Sequence, residues 1–154
     1  MTPQQPVLLC YDGSEEARNA IRVGGRLLGG GPALVLTVWK PFDLSLFRPV
    51  SDAILFATGL QDEFDELASK GAADLAAEGV EIAREAGFDA SPLAREGRPR
   101  EVILETARER HARAIVLGAR GRGGVESTLL GSVSTELLHH VRDVPLLVVP
   151  APAT

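Results

Sequence analysis

The chain of 154 residues has the length of one domain, and 45% of its residues are hydrophobic and 24% charged. Its net charge of −5 and its aromatic content of 5% argue against a general DNA or RNA binder, which needs a basic face and stacking side chains. The single cysteine, Cys10, excludes an internal disulfide and a cysteine-based zinc site.

The sequence carries no targeting or membrane signal. Residues 1–6 lack the basic and apolar regions of a signal peptide, and no apolar run reaches the roughly 18 residues of a membrane helix. We therefore expect one cytoplasmic domain over residues 1–154, with no membrane or nucleic-acid partner. Residues 1–5 and 151–154 are expected to be loose tails.

Five short apolar runs predict β-strands. Most are continuously apolar, which is typical of a parallel sheet that is covered on both faces. In chain order, the runs are Val7–Tyr11, Ala33–Trp39, Ala90–Glu96, Ala114–Gly118 and Leu146–Val149.

Apolar residues at helical spacing fill four of the gaps between these strands. The first helix follows Ser14, which is placed to cap it, and the third follows Pro99, a residue favoured at helix starts. The residues predicted to face inward are Ala17, Ala20, Ile21, Gly24, Leu27 and Leu28, then Phe64, Leu67, Ala68, Gly71, Leu75, Ile82, Ala83 and Ala86, then Val102, Ile103, Thr106 and Ala107, and finally Val133, Leu137, Leu138 and Val141. Strands that alternate with helices predict an α/β fold with right-handed crossovers.

The segment Lys40–Leu60 has two prolines and no clear period. We interpret it as a long loop, with a short helix as one option. A lid or partner-binding surface and an insertion packed on the edge of the core both remain open.

A long glycine-rich loop runs from Gly118 to Ser132 between the fourth strand and the fourth helix. Its five glycines let backbone N–H groups approach a ligand, and the helix that follows offers free N–H donors and partial positive charge. Arg120 and Arg122 add positive charge. These features favour an anion such as a phosphate, with Ser132 as the helix cap.

The alternative for this loop is a flexible surface connection. A P-loop lysine is absent, because Ser132 follows Gly131 directly, and the first strand–helix turn has no G-x-G-x-x-G pattern. The sequence therefore indicates an anion site without either of the better-known phosphate signatures.

Asp12 follows the first strand and is a second candidate for the same site. If the sheet order is 3-2-1-4-5, the ligand crevice lies between strands one and four, where Asp12 and Gly118 both end a strand. A carboxylate there can accept hydrogen bonds from ribose hydroxyls or help to hold a divalent cation. A simple turn residue that caps the first helix is the alternative.

The spacing of these residues resembles the nucleotide-binding branch of the universal stress protein family. That branch carries Gly, two residues, Gly, nine residues, Gly and then Ser or Thr. Gly118, Gly121, Gly131 and Ser132 match this pattern. Further matches are Leu129–Ser134, the turn Asp12-Gly13-Ser14, the helix start Gly97-Arg98-Pro99 and the closing run Val144–Pro150.

The resemblance implies a doubly wound, five-stranded parallel sheet of order 3-2-1-4-5 with helices on both faces. It implies ATP as the ligand, with ADP or AMP possible, together with Mg²⁺ bound through the nucleotide near Asp12. The implied binding residues are Asp12, Gly13, Ser14, Val38 (through its backbone, on adenine), Gly118, Arg120, Gly121, Arg122, Gly131, Ser132, Val133 and Ser134.

The resemblance also implies a homodimer through Leu146–Val149. An unpaired apolar edge strand is an aggregation liability, and either dimer pairing or cover from the tail 151–154 removes it. Glu126 departs from the expected loop chemistry, because a negative charge there weakens phosphate binding if it points inward.

We therefore expect a nucleotide-binding regulatory module that hydrolyses ATP slowly or not at all, since no general base stands beside the loop. A metal-dependent ATPase or nucleotidyl transferase that uses Asp12 ranks second. A nucleotide-free, chaperone-like dimer that works through Lys40–Leu60 ranks third.

Overall fold

The computed structural model describes residues 4–41, 54, 58–121 and 130–152. Strands and helices alternate along these residues. In chain order they are β1 (Val7–Cys10), α1 (Glu15–Leu28), β2 (Gly31–Trp39), α2 (Leu60–Glu85), β3 (Phe88–Glu96), α3 (Pro99–Glu109), β4 (Ala114–Gly118), α4 (Ser132–His140) and β5 (Leu146–Val149).

The five strands form one sheet of order β3-β2-β1-β4-β5, and every neighbouring pair is parallel. The predicted fold class is confirmed. β1 lies at the centre, where the chain winds first towards β2 and later towards β4. The pairing of β1 with β2 ends at Cys10, opposite Leu36.

Two apolar layers cover the sheet, because successive strand side chains point to opposite faces. Val7, Leu9 and Tyr11 pack against α1 and α2. Leu8, and the partly buried Cys10, pack on the other face with α3 and α4. This second layer continues to the carboxyl ends of the strands.

The predicted cap of α1 is confirmed. The Ser14 Oγ accepts the backbone N–H of Ala17 at 3.1 Å. The helix ends at Gly29, whose φ of 75° is the left-handed conformation that glycine adopts without strain. The prediction that Leu27 faces inward is wrong, because its side chain is 65% exposed on the outer surface.

The predicted inward face of α2 is partly wrong. Leu67 is 67% exposed, and a Cβ at Gly71 would meet nothing within 4 Å. The buried residues are Ala72, Ala76, Gly79, Val80 and Ala83. Small side chains let this helix lie close to the sheet, so the larger residues flank the contact instead of filling it.

The inward face of α3 is predicted correctly: Val102, Ile103, Thr106 and Ala107 are all buried. In α4 only Leu137 of the predicted stripe is fully buried, and Leu138 is 47% exposed. No helix in the described part of the chain is long and apolar enough to cross a membrane. Most of Lys40–Leu60 lies outside the described residues, so its role as lid or insertion stays a prediction.

Candidate functional site

A cleft of about 470 Å³ opens at the carboxyl ends of the central strands. It lies where the chain winds to opposite sides of β1, the place where ligands bind in open α/β sheets. Its volume falls in the range of roughly 300–1,000 Å³ that is typical of small-molecule sites. The lining residues come from β1, β2, β4, α1, α3, α4 and the turns that follow the strands.

One side of the cleft is apolar. Leu36 and Val38 line it from β2, and Pro99 and Ile103 line it from the first turn of α3. The sequence analysis predicted Ile103 in the core and Pro99 at a helix start, and both predictions are confirmed. Their place in the cleft was missed because only the sheet order brings α3 over the end of β2.

The backbone of Val38 points into this part of the cleft. Leu36 accepts the N–H of Tyr11 through its carbonyl at 2.9 Å, so the polar groups of Leu36 face β1. The N–H and C=O groups of successive strand residues point to opposite sides, so those of Val38, two residues after Leu36, point to the same side as those of Leu36. They lie beyond the last residue of β1.

The other side of the cleft is lined by the glycine-rich loop and the amino end of α4. The carbonyl of Ala119 accepts the N–H of Gly131 at 2.6 Å and the Ser134 hydroxyl at 2.5 Å. These two bonds tie the start of the glycine-rich loop to the first turn of α4. Gly118, Gly121 and Gly131 therefore line one continuous surface.

Two of these glycines stand where a side chain would crowd a neighbouring residue. A Cβ at Gly121 would lie 2.7 Å from the Oδ2 of Asp12, and one at Gly131 would lie 3.3 Å from the Cα of Arg120. The backbone can approach a ligand closely here only because these positions lack a Cβ.

The amino end of α4 opens onto the same surface. Gly131 is the capping residue and Ser132 is the first helical residue, and no side chain caps the helix. The prediction that Ser132 caps α4 is therefore wrong. The first helical bond runs from the Thr135 N–H to the Gly131 carbonyl at 3.0 Å, so the N–H groups of Ser132, Val133 and Ser134 have no partner within the helix.

Asp12 lies in the cleft and is held by its own turn. Its Oδ1 accepts the Ser14 N–H at 3.0 Å and the Ser14 hydroxyl at 2.6 Å. Gly13, with φ of 85°, forms this turn, so Gly13 and Ser14 position Asp12 and do not line the cleft themselves. Among the residues that the structure describes, no cluster of three potential metal ligands occurs.

Arg120 lines the cleft but is paired with Glu16, a residue that the sequence interpretation missed. Its Nη2 lies 2.9 Å from the Glu16 Oε1, and its backbone N–H donates to Oε2 at 2.8 Å. Glu16 lies in the first turn of α1, just after the turn that holds Asp12.

Burial also changes the acidity of two residues at the cleft. It raises the pKa of the Cys10 thiol to about 12, and the negative charge of Asp12 adds to this. The pKa of Tyr11 is raised to about 12 by burial and by the hydrogen bond that its hydroxyl donates to Glu78. Both groups are neutral at physiological pH.

Nine of the predicted site residues line the cleft. They are Asp12, Val38, Gly118, Arg120, Gly121, Gly131, Ser132, Val133 and Ser134. Arg122 and Glu126 lie outside the described residues, so their predicted effects on a phosphate stay predictions.

The model of the universal stress protein family matches residues 4–150 of the chain. The chain belongs to this family. A universal stress protein of Thermus aquaticus, from the QAH/OAS sulfhydrylase 3′ region, is 34% identical over 134 residues, which cover 86% of this chain and 89% of that protein.

Solved structures share the fold of this universal stress protein at low sequence identity. The hypothetical protein MJ0577 superposes with a TM-score of 0.71 at 21% identity and covers 99% of this chain and 100% of its own. A universal stress protein in complex with cAMP has a TM-score of 0.64 at 19% identity, with coverages of 98% and 100%. The Archaeoglobus fulgidus protein in complex with dAMP has a TM-score of 0.60 at 20% identity, with coverages of 96% and 98%.

Proposed function

We propose that this universal stress protein is a regulatory module that binds an adenine nucleotide, ATP above all, and hydrolyses it slowly or not at all. One observation carries the proposal: the cleft joins an apolar slot to a surface of backbone N–H groups. A nucleotide needs both, because its base is flat and apolar and its phosphates are anionic.

The apolar slot suits the adenine ring. Leu36 and Val38 line it from β2, and Pro99 and Ile103 line it from α3. The backbone groups of Val38 face the slot and are placed to read the hydrogen-bonding edge of the base. Backbone readout of this kind fixes the orientation of a ring that is otherwise held by apolar contact.

The opposite side suits the phosphates. The N–H groups of Ser132, Val133 and Ser134 have no partner within α4 and carry the positive end of its dipole, and the loop glycines let phosphate oxygens come close. Asp12 lines the described part of the cleft, and its carboxylate is a suitable ligand for a Mg²⁺ ion bound to the nucleotide. Such an ion would offset the charge of the phosphates.

The complexes of two structural neighbours with cAMP and dAMP support an adenine nucleotide as the ligand class. Both neighbours share the fold that forms this cleft between β1 and β4.

The proposal is tested on the purified protein. We expect nucleotide in the supernatant after denaturation, detected by ion-exchange chromatography, and a calorimetric binding signal for ATP with Mg²⁺. If the protein carries no nucleotide and gives no calorimetric signal, the proposal is wrong.

A site variant localises the binding. Gly121→Val brings a side chain against the Asp12 carboxylate, and we expect it to abolish ATP binding while the far-UV dichroism stays unchanged. Gly71→Val is the matched control, because a Cβ there meets nothing within 4 Å. Equal loss of binding in both variants would contradict a site at Gly121.

An ATPase or nucleotidyl transferase that uses Asp12 and a metal is the second candidate, and the position of Asp12 in the cleft is the observation that favours it. Phosphate release above the buffer blank that disappears in Asp12→Ala would support the enzyme. Phosphate release at the level of the buffer blank would contradict the enzyme and favour a module that binds nucleotide without hydrolysing it.

A further inference from the structure

The first turn of α1 holds the start of the glycine-rich loop through one carboxylate. The Glu16 Oε2 accepts the backbone N–H of Arg120 at 2.8 Å. Its Oε1 accepts the Arg120 Nε at 3.0 Å and lies 2.9 Å from Nη2. The two side chains are only 15% and 19% exposed, so this is a forked, shielded pair and not a loose surface attraction.

The pair is continuous with the proposed phosphate surface. A Cβ at Gly118 would lie 3.1 Å from the Cβ of Glu16, so α1 approaches the loop closely because residue 118 is glycine. Ala119, next to Arg120, accepts hydrogen bonds from Gly131 and Ser134 at the start of α4. Glu16 therefore acts on the phosphate side of the cleft although it does not line it.

This pairing governs the charge that a ligand meets. Arg120 is the cation that lines the cleft in the described ranges, and its guanidinium is matched by Glu16. Each additional phosphate therefore gains less than the full attraction of Arg120.

We propose that Glu16 determines how strongly the cleft prefers nucleotides with more or fewer phosphates, because it holds Arg120 in an ion pair that phosphates would otherwise take. The inference rests on the proposed nucleotide binding. Glu16 is a positioning residue, since it acts through Arg120, and its removal shifts the preference towards ATP and away from AMP.

The test measures Kd for AMP and ATP in EDTA, so that no divalent cation shields the phosphates. In Glu16→Gln, which is isosteric and uncharged, we expect the ratio of ATP to AMP affinity to rise by about fivefold. In the Arg120→Gln background the same substitution should raise the ratio by no more than about twofold, because only the loss of a long-range repulsion between Glu16 and the phosphates remains.

Two further variants separate charge from position. Glu16→Asp keeps the charge but is too short to maintain the fork, so the ratio should shift in the same direction by a smaller factor. Glu15→Gln makes the same charge change on the neighbouring residue, which is 78% exposed and paired with Arg18, and should leave the ratio within twofold. If far-UV dichroism shows that Glu16→Gln does not fold, Glu16→Asp replaces it in the affinity measurement.

The outcomes are distinct. If wild type binds AMP or ATP but Glu16→Gln changes both affinities equally or not at all, the inference is wrong and the proposed function stands. A rise that persists in full without Arg120, or that Glu15→Gln reproduces, also overturns the inference. If wild type binds neither nucleotide in EDTA, the inference fails, and if it binds neither with Mg²⁺ as well, the proposed function fails with it.

Discussion

At the scale of single residues, the site depends on glycines, which have no side chain, and on the carboxylates of two residues that follow β1. Gly118, Gly121 and Gly131 bring main chain together at positions where a Cβ would meet another residue. Glu16 binds Arg120 in the facing loop, and Asp12 leaves no room for a Cβ at Gly121. The sequence pattern identified the glycines and Asp12 because they occupy fixed positions after strands. Glu16 was missed, since nothing in the sequence shows which residue it faces.

Cys10 offers a probe at this scale. Its thiol pKa is raised to about 12, so at pH 8 it is protonated and unreactive. We expect a thiol-disulfide reagent to label the folded protein about a hundredfold or more slowly than the denatured chain, with the rate rising with pH. ATP should slow labelling further, because Cys10 lines the cleft.

As the only cysteine in the chain, Cys10 gives an unambiguous signal. Labelling of the folded protein at the rate of the denatured chain would show that the thiol is not held neutral. A labelling rate that ATP leaves unchanged would argue against binding next to β1.

At the scale of elements, the strands were easier to predict than the helix faces. Continuous apolar runs mark strands that are buried on both sides, and all five predicted strands lie within two residues of the observed bounds. The face of α2 was predicted from its larger apolar residues, such as Leu67. The helix instead packs through Ala72, Ala76 and Gly79, because a small-residue face lets it sit closer to β2 and β3.

Two glycines of α2 test this packing directly. A Cβ at Gly79 would lie 2.6 Å from a Val35 methyl carbon and 2.9 Å from the Tyr11 ring. We expect Gly79→Ala to lower the free energy of unfolding by about 1–3 kcal/mol, since the helix must move away from the sheet. Chemical denaturation measures the change.

Gly71→Ala is the control on the same helix. Its Cβ would meet no atom within 4 Å, so the alanine should raise the free energy of unfolding by about 0.5–1 kcal/mol through helix propensity alone. Opposite signs for the two substitutions are expected. If Gly79→Ala is stabilising as well, α2 does not pack on the sheet as closely as described.

At the scale of the whole molecule, the sheet order makes the site. Strands β1 and β4 are more than a hundred residues apart in sequence, and their pairing brings Asp12 to the glycine-rich loop. The family motif allowed this order to be predicted from the sequence. The apolar side of the cleft, with Pro99 and Ile103, could not be predicted in the same way, because it depends on how α3 lies across β2.

The same order leaves β5 at the edge, and we propose that it pairs with its copy in a homodimer. The Ile115 and Ala119 N–H groups donate to the carbonyls of Pro145 and Val149, so the backbone groups of Leu146 and Val148 face outward. We expect a dimer by light scattering after gel filtration.

Val148→Pro removes an outward N–H without disturbing the pairing of β5 with β4. We expect it to give a folded monomer, while Val148→Ala stays a dimer. A dimer that survives the proline substitution would place the interface elsewhere, and a wild-type monomer would contradict the proposal.

The central claim is that the cleft between β1 and β4 holds an adenine nucleotide, and a crystal structure of the protein grown with ATP and Mg²⁺ tests it most directly. The account predicts the base between Val38 and Ile103, with the phosphates against Gly131, Ser132 and Ser134. An empty cleft at saturating ATP, or a nucleotide bound at another surface, would contradict it.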